Sequence, residues 1–219
     1  MSGAIQRSPL TLALCAALLM GCSHTSERPS KAISNMPTLA LVDNVCALCH
    51  GLTGESVSPM IPKLAGQQKD YLKAQLMQFK AHSRMDKAAT EYMWGFTHLT
   101  DTQIAELADY FAAQPPMQAP AQTSDARGEL IFRRGVPAAG IAQCSACHGA
   151  QGQGQGQTPR VAGQHAAYMV SQLNVFQQAD LRQRGDLSSE IAHTLSDADA
   201  DAESVAQYMA RLGRAPSTP

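Results

Sequence analysis

Bulky aromatic side chains are scarce in this 219-residue chain: five Phe, five Tyr and one Trp make up 5% of it. One mid-sized domain or two small ones would be short of apolar filling, which leaves room for a buried group to supply it. A surplus of positive charge is also missing. Lys and Arg number 17 against 18 Asp and Glu, for a net charge of −1, and no basic run occurs, which excludes nucleic acid as a partner. The 16% charged fraction is modest for a soluble chain. No apolar run is long enough to span a bilayer comfortably, and no period-two strand pattern is apparent.

The longest apolar run, "LTLALCAALLM" at residues 10–20, follows one basic residue, Arg7, and ends at "GCS". Charge, apolar stretch and small-residue processing site come in the order of a secretory signal. "LMGC", residues 19–22, resembles a bacterial lipobox, in which the cysteine is diacylated and becomes the new N-terminus. That resemblance implies a lipid on Cys22, a periplasmic protein anchored to the bacterial membrane and, from Ser23 in place of Asp, the outer membrane. Cleavage nearby by an ordinary signal peptidase is the alternative.

Of the six cysteines, Cys15 leaves with the signal and Cys22 is the lipid candidate. The other four form two pairs, Cys46 with Cys49 and Cys144 with Cys147, so none remains for a structural disulfide. Bare pairs in an exported chain could be redox disulfides or share a zinc ion. Each pair, however, is followed directly by histidine, His50 and His148, giving C-x-x-C-H twice. That is the attachment signature of c-type haem: two thiols add across two vinyl groups and the adjacent imidazole reaches the iron. Two haem c groups, held by Cys46, Cys49, Cys144 and Cys147 with His50 and His148 as iron ligands, are expected.

The motifs belong to an internal repeat. "PKLAGQQKDYLKAQLMQFK" (62–80) and "PRVAGQHAAYMVSQLNVFQ" (159–177) match at one constant offset in Pro, Ala-Gly-Gln, Tyr, Gln-Leu and Phe. Farther on, "LTDTQIAELADYF" (99–111) matches "LSDADADAESVAQYM" (195–209), which carries two extra residues. Leu72, Leu76 and Phe79 recur at helical spacing, as do Ile104, Leu107, Ala108 and Phe111, and Thr100 with Gln103 forms a capping signal ahead of the second set. "AAQPPMQAPAQTSDA" (112–126) cannot continue a helix and "GAQGQGQGQTP" (149–159) reads as a loop. The expected fold is all-α, two tandem small domains, each wrapped around one covalent haem. The expected boundaries are a signal at 1–21, a flexible tether at 22–36, domains at 37–113 and 126–213, a linker at 114–125 and a flexible tail at 214–219.

In order, C-x-x-C-H-G, P-[KR]-[LV]-A-G-Q, Y-x-x-x-Q-L-x-x-F and L-[TS]-D before a last helix, all occurring twice, resemble the diheme class I cytochromes c of the c4 type over residues 40–212. The resemblance implies that both units transfer electrons and that the carbonyls of Pro62 and Pro159 accept a hydrogen bond from the haem histidines. Such a bond fixes imidazole tautomer and ring orientation. It also implies a methionine sixth ligand shortly before L-[TS]-D, a thioether that raises the potential. Unit one offers Met93, one residue closer to Leu99 than usual, with Met85 as runner-up and Met60 a weaker third. Unit two has no methionine there. The same interval lands on Ser188 and Ser189, which leaves an open or water-bound iron, His193 or another side chain. Met169 and Met209 match core positions of unit one.

Trp94 is placed either against the porphyrin or in the core. Arg84, Arg133, Arg134, Arg182 and Arg184 are candidate propionate partners, with solvated surface expected for most, and His24, His82, His98 and His165 read as surface or loop histidines. Two functions follow. The first is a carrier of single electrons between membrane or periplasmic redox proteins such as a terminal oxidase, reductase or dehydrogenase, and not an enzyme. The alternative is a haem enzyme or a sensor of gas or peroxide, using an open C-terminal haem fed by the N-terminal one.

Overall fold

The computed structural model describes residues 33–96, 98–119, 125–178 and 199–213. Among them no strand forms, only isolated bridges between Val136 and Ile141 and between Gln155 and Thr158. In the first unit α1 (Thr38–Leu41) passes through a widened π-helical turn, Val42–Cys46, into α2 (Ala47–His50). α3 (Lys69–Lys80), a second π turn (Ala89–Met93), a 3-10 turn (Trp94–Phe96) and α4 (Asp101–Ala112) follow. The second unit contains α5 (Ala126–Arg134), α6 (Ser145–His148), α7 (Ala166–Gln177) and α8 (Asp199–Arg211). The architecture is all-α with two tandem domains.

The helical spacing in the sequence becomes the buried faces. α3 buries Leu72 and Phe79, α4 buries Ile104, Leu107, Ala108 and Phe111, and Leu76 packs against the core that Leu72 shares with α4. Leu41, Val42 and Leu99 complete that core. The second core joins Ile131 and Phe132 of α5 to Met169 of α7 and to Val205, Ala206, Met209 and Ala210 of α8. Thr100 caps α4 as its sequence indicates: its Oγ1 accepts from the Gln103 amide at 3.2 Å, and Gln103 Oε1 accepts from the Thr100 amide at 2.8 Å. Gln103 Nε2 also donates to the carbonyls of Ile33 (3.0 Å) and Met36 (2.8 Å), so residues at the end of the expected tether lie against α4.

The two domains meet through their matching Ala-Gly-Gln turns, with the linker between. The Met117 amide donates to the Ala65 carbonyl at 3.0 Å, and its side chain is 1% exposed. Gly66, at φ +60°, has no room for a side chain, because a Cβ would stand 2.6 Å from Pro116 Cα; Gly163, at φ +81°, would place one 2.4 Å from the Met117 carbonyl oxygen. Positive φ and backbone contact together require glycine at both turns. The linker segment expected at 114–125 is therefore packed between the domains at Met117.

Candidate functional site

In each unit C-x-x-C-H runs along a continuous helical stretch, its first cysteine standing just ahead of α2 or α6, and its donors are gathered by spacing. Cys46, Cys49 and His50 stand at i, i+3 and i+4, which places them on one helix face, and Cys144, Cys147 and His148 repeat the arrangement. Cys46 and Cys144 are partly buried, while Cys49 and Cys147 are exposed. Before haem is attached, burial pushes the Cys46 and Cys144 thiols up to about 11.

The imidazoles are set by a second element. His50 Nδ1 lies 2.9 Å from the Pro62 carbonyl oxygen, and His148 Nδ1 lies 2.8 Å from that of Pro159. A carbonyl can only accept, so Nδ1 carries the proton and Nε2 keeps its lone pair. Burial pulls both imidazoles below their usual pKa, against the opposing carbonyl contact, and this too favours the neutral ring. Two thiols beside an imidazole with a free Nε2 lone pair fit a porphyrin iron attached by two thioethers. Among the described residues no group of three or more His, Cys, Asp or Glu converges as ligands for a bare metal ion.

Other residues singled out from the sequence are distributed less simply. Met93 ends the π turn Ala89–Met93 and is half-buried, whereas Met85 and Met60 are 48% and 55% exposed. Ser188, Ser189, His193, Arg182, Arg184, Cys22 and His24 lie outside the described residues. Trp94 is half-buried; its Nε1 donates to the Arg84 carbonyl at 3.0 Å and its ring stacks on His82 at 4.3 Å. Arg133 and Arg134 are exposed.

Two residues depart from the surface role expected of them. Arg84 is 5% exposed and bonds Asp86 Oδ2 through Nε (3.1 Å) and Nη2 (2.9 Å), Gln75 through Nη1 (3.0 Å) and, across the domain boundary, Gln172 through Nη2 (3.2 Å). Burial of a guanidinium requires such pairing, and no feature local to "HSRMDK" reveals where Gln172 lies. His165 is half-buried, with Nε2 2.8 Å from the Ser56 carbonyl oxygen of the other domain.

Sequence reasoning passed over Gln67 and Gln164, each 4% exposed. Gln67 Nε2 donates to the Arg160 carbonyl (2.9 Å) and its Oε1 accepts from the Arg160 amide (2.6 Å). Gln164 does the same to Lys63, at 2.9 Å for each bond. The signal was present in the Ala-Gly-Gln shared by both repeats, but a matching glutamine does not announce that its partner belongs to the other repeat.

The cytochrome c family model matches residues 39–114 and 126–213. A cytochrome c-552 of Acidithiobacillus ferridurans is 41% identical over 171 residues, 76% of this chain and 74% of that protein. A solved cytochrome c4 of Acidithiobacillus ferrooxidans superposes with a TM-score of 0.70 at 40% identity, covering 76% of this chain and 98% of that one. A thiosulfate dehydrogenase electron acceptor of Stutzerimonas stutzeri is 31% identical over 176 residues, 77% of this chain and 79% of that protein.

Proposed function

The chain belongs to the cytochrome c family as a diheme, c4-like member, and from that premise we propose how its residues serve electron transfer. It is an electron-transfer cytochrome with two covalently bound haem c groups. When bound, each haem supplies a one-electron ferric/ferrous couple. Cys46 with Cys49 and Cys144 with Cys147 would hold the two haems, His50 and His148 would each offer an Nε2 lone pair to the iron, and the Pro62 and Pro159 carbonyls hold Nδ1–H. The observation that carries the reading is the duplication of that histidine–proline geometry at 2.9 and 2.8 Å in two cysteine-bearing units.

Met93 would supply the second protein ligand of the N-terminal haem iron, and a thioether there would favour the ferrous state. The partners are redox proteins, an oxidase, a reductase or a dehydrogenase; the similarity to an electron acceptor of thiosulfate dehydrogenase supports the last. The protein is lipid-anchored through Cys22 on the periplasmic side, at the outer membrane, since "LMGC" precedes Ser23. Spectroelectrochemical titration of the holoprotein tests the carrier function: two reversible one-electron waves, with no turnover of peroxide, are expected. Catalytic reduction of peroxide at one haem would overturn it.

A further inference from the structure

Pro62 O and Lys63 N–H belong to one peptide unit, and the two ends of that unit face different domains. On one side the carbonyl accepts from His50 Nδ1–H at 2.9 Å. On the other the Lys63 amide donates to Gln164 Oε1 at 2.9 Å, and Gln164 Nε2 returns a bond to the Lys63 carbonyl at 2.9 Å. The mirror image holds in the second unit: His148 Nδ1–H to Pro159 O at 2.8 Å, Arg160 amide to Gln67 Oε1 at 2.6 Å, and Gln67 Nε2 to Arg160 O at 2.9 Å. Each glutamine is buried, and its Oε1 accepts a further amide from the following residue, Gln68 at 2.8 Å or His165 at 2.9 Å, which fixes its orientation.

We infer that Gln164 is a positioning residue for the N-terminal haem histidine His50, and Gln67 for the C-terminal haem histidine His148, each acting across the domain boundary through the peptide after the proline. This rests on the diheme reading. An amide whose N–H is engaged has a more negative carbonyl oxygen, because hydrogen bonds in a chain polarise one another. Gln164 thus strengthens the pull of Pro62 on His50 Nδ1–H, which makes Nε2 a stronger donor. A more basic imidazole favours ferric iron and lowers the potential. The potential of each haem is set partly by the opposite domain.

The test uses the full-length holoprotein, with the two haems told apart by NMR contacts to Leu48 in the first motif and Ala146 in the second. Gln164→Leu should raise the potential of the N-terminal haem, leave the C-terminal one in place, and speed exchange of the Lys63 amide at least about tenfold. Gln67→Leu should do the reverse, on the C-terminal haem and the Arg160 amide. Gln164→Glu retains an acceptor for Lys63 and should hold or lower the N-terminal potential. If Gln164→Leu does not fold, the Glu variant decides, because a rise there contradicts the inference. A shift on the C-terminal haem from Gln164 variants, or equal shifts on both, would overturn it. Absence of two bound haems in the parent protein would instead defeat the diheme reading itself.

Discussion

His165 Nε2 stands 2.8 Å from the Ser56 carbonyl oxygen, and the matching position in the other repeat, Gln68, places its Nε2 2.8 Å from the Gln153 carbonyl oxygen. The interface is thus nearly two-fold symmetric, with one titratable group where its mate is neutral. Burial holds His165 below the ordinary imidazole pKa; the Ser56 carbonyl and Glu55 push it up and Lys63 pushes it down. The unfolded chain therefore takes up the proton first, and stability falls as pH drops through about 6.5 toward the folded-state value. His165→Gln restores the symmetric residue. Denaturant midpoints measured from pH 8 to pH 5 should diverge below about pH 6.5, with wild type losing more; parallel curves would remove His165 as the cause.

The tight turns predict a specific glycine dependence. Gly163→Ala and Gly66→Ala force a side chain into a left-handed conformation and onto linker backbone at 2.4 and 2.6 Å. Each should cost about 2–4 kcal/mol in denaturant unfolding. Gly95 meets nothing within 4 Å, and Gly95→Ala should stay within about 0.5 kcal/mol of wild type. Equal effects at all three positions would contradict the packed-linker account.

Met93 gives a third expectation. If its thioether ligates the N-terminal iron as proposed, and since Ser188 and Ser189 cannot supply an equivalent bond in unit two, the dithionite-reduced protein should bind about one carbon monoxide per two haems. Met93→Ala should raise the stoichiometry toward two. Binding at both haems of the native protein would remove Met93 as a ligand, and binding at neither would show the second iron capped, with His193 the first residue to substitute.

What could be read from the sequence was local. C-x-x-C-H states its chemistry in five residues, the α3 and α4 faces follow from apolar spacing, and the Thr100 cap from one Thr and one Gln at the right interval. What could not be read is held by contacts between distant residues. Gln67 and Arg160 are 93 apart in the chain, Lys63 and Gln164 are 101 apart, and Ser56 and His165 are 109 apart. A polar residue looks solvated until the surface it meets is known, which is why Arg84, His165 and both glutamines were expected elsewhere or passed over. Met117 was hidden for a related reason: a segment rich in Pro and Gln shows where helix ends, not what covers it.

Covalent haem stoichiometry is the most direct measurement of the central claim. The intact mass of the mature holoprotein, taken after acid-acetone extraction, should contain two haem additions, because all four motif thiols are committed to thioethers. Replacing Cys46 and Cys49 with alanine should leave one addition, on Cys144 and Cys147. A native mass with one haem addition or none would contradict the account.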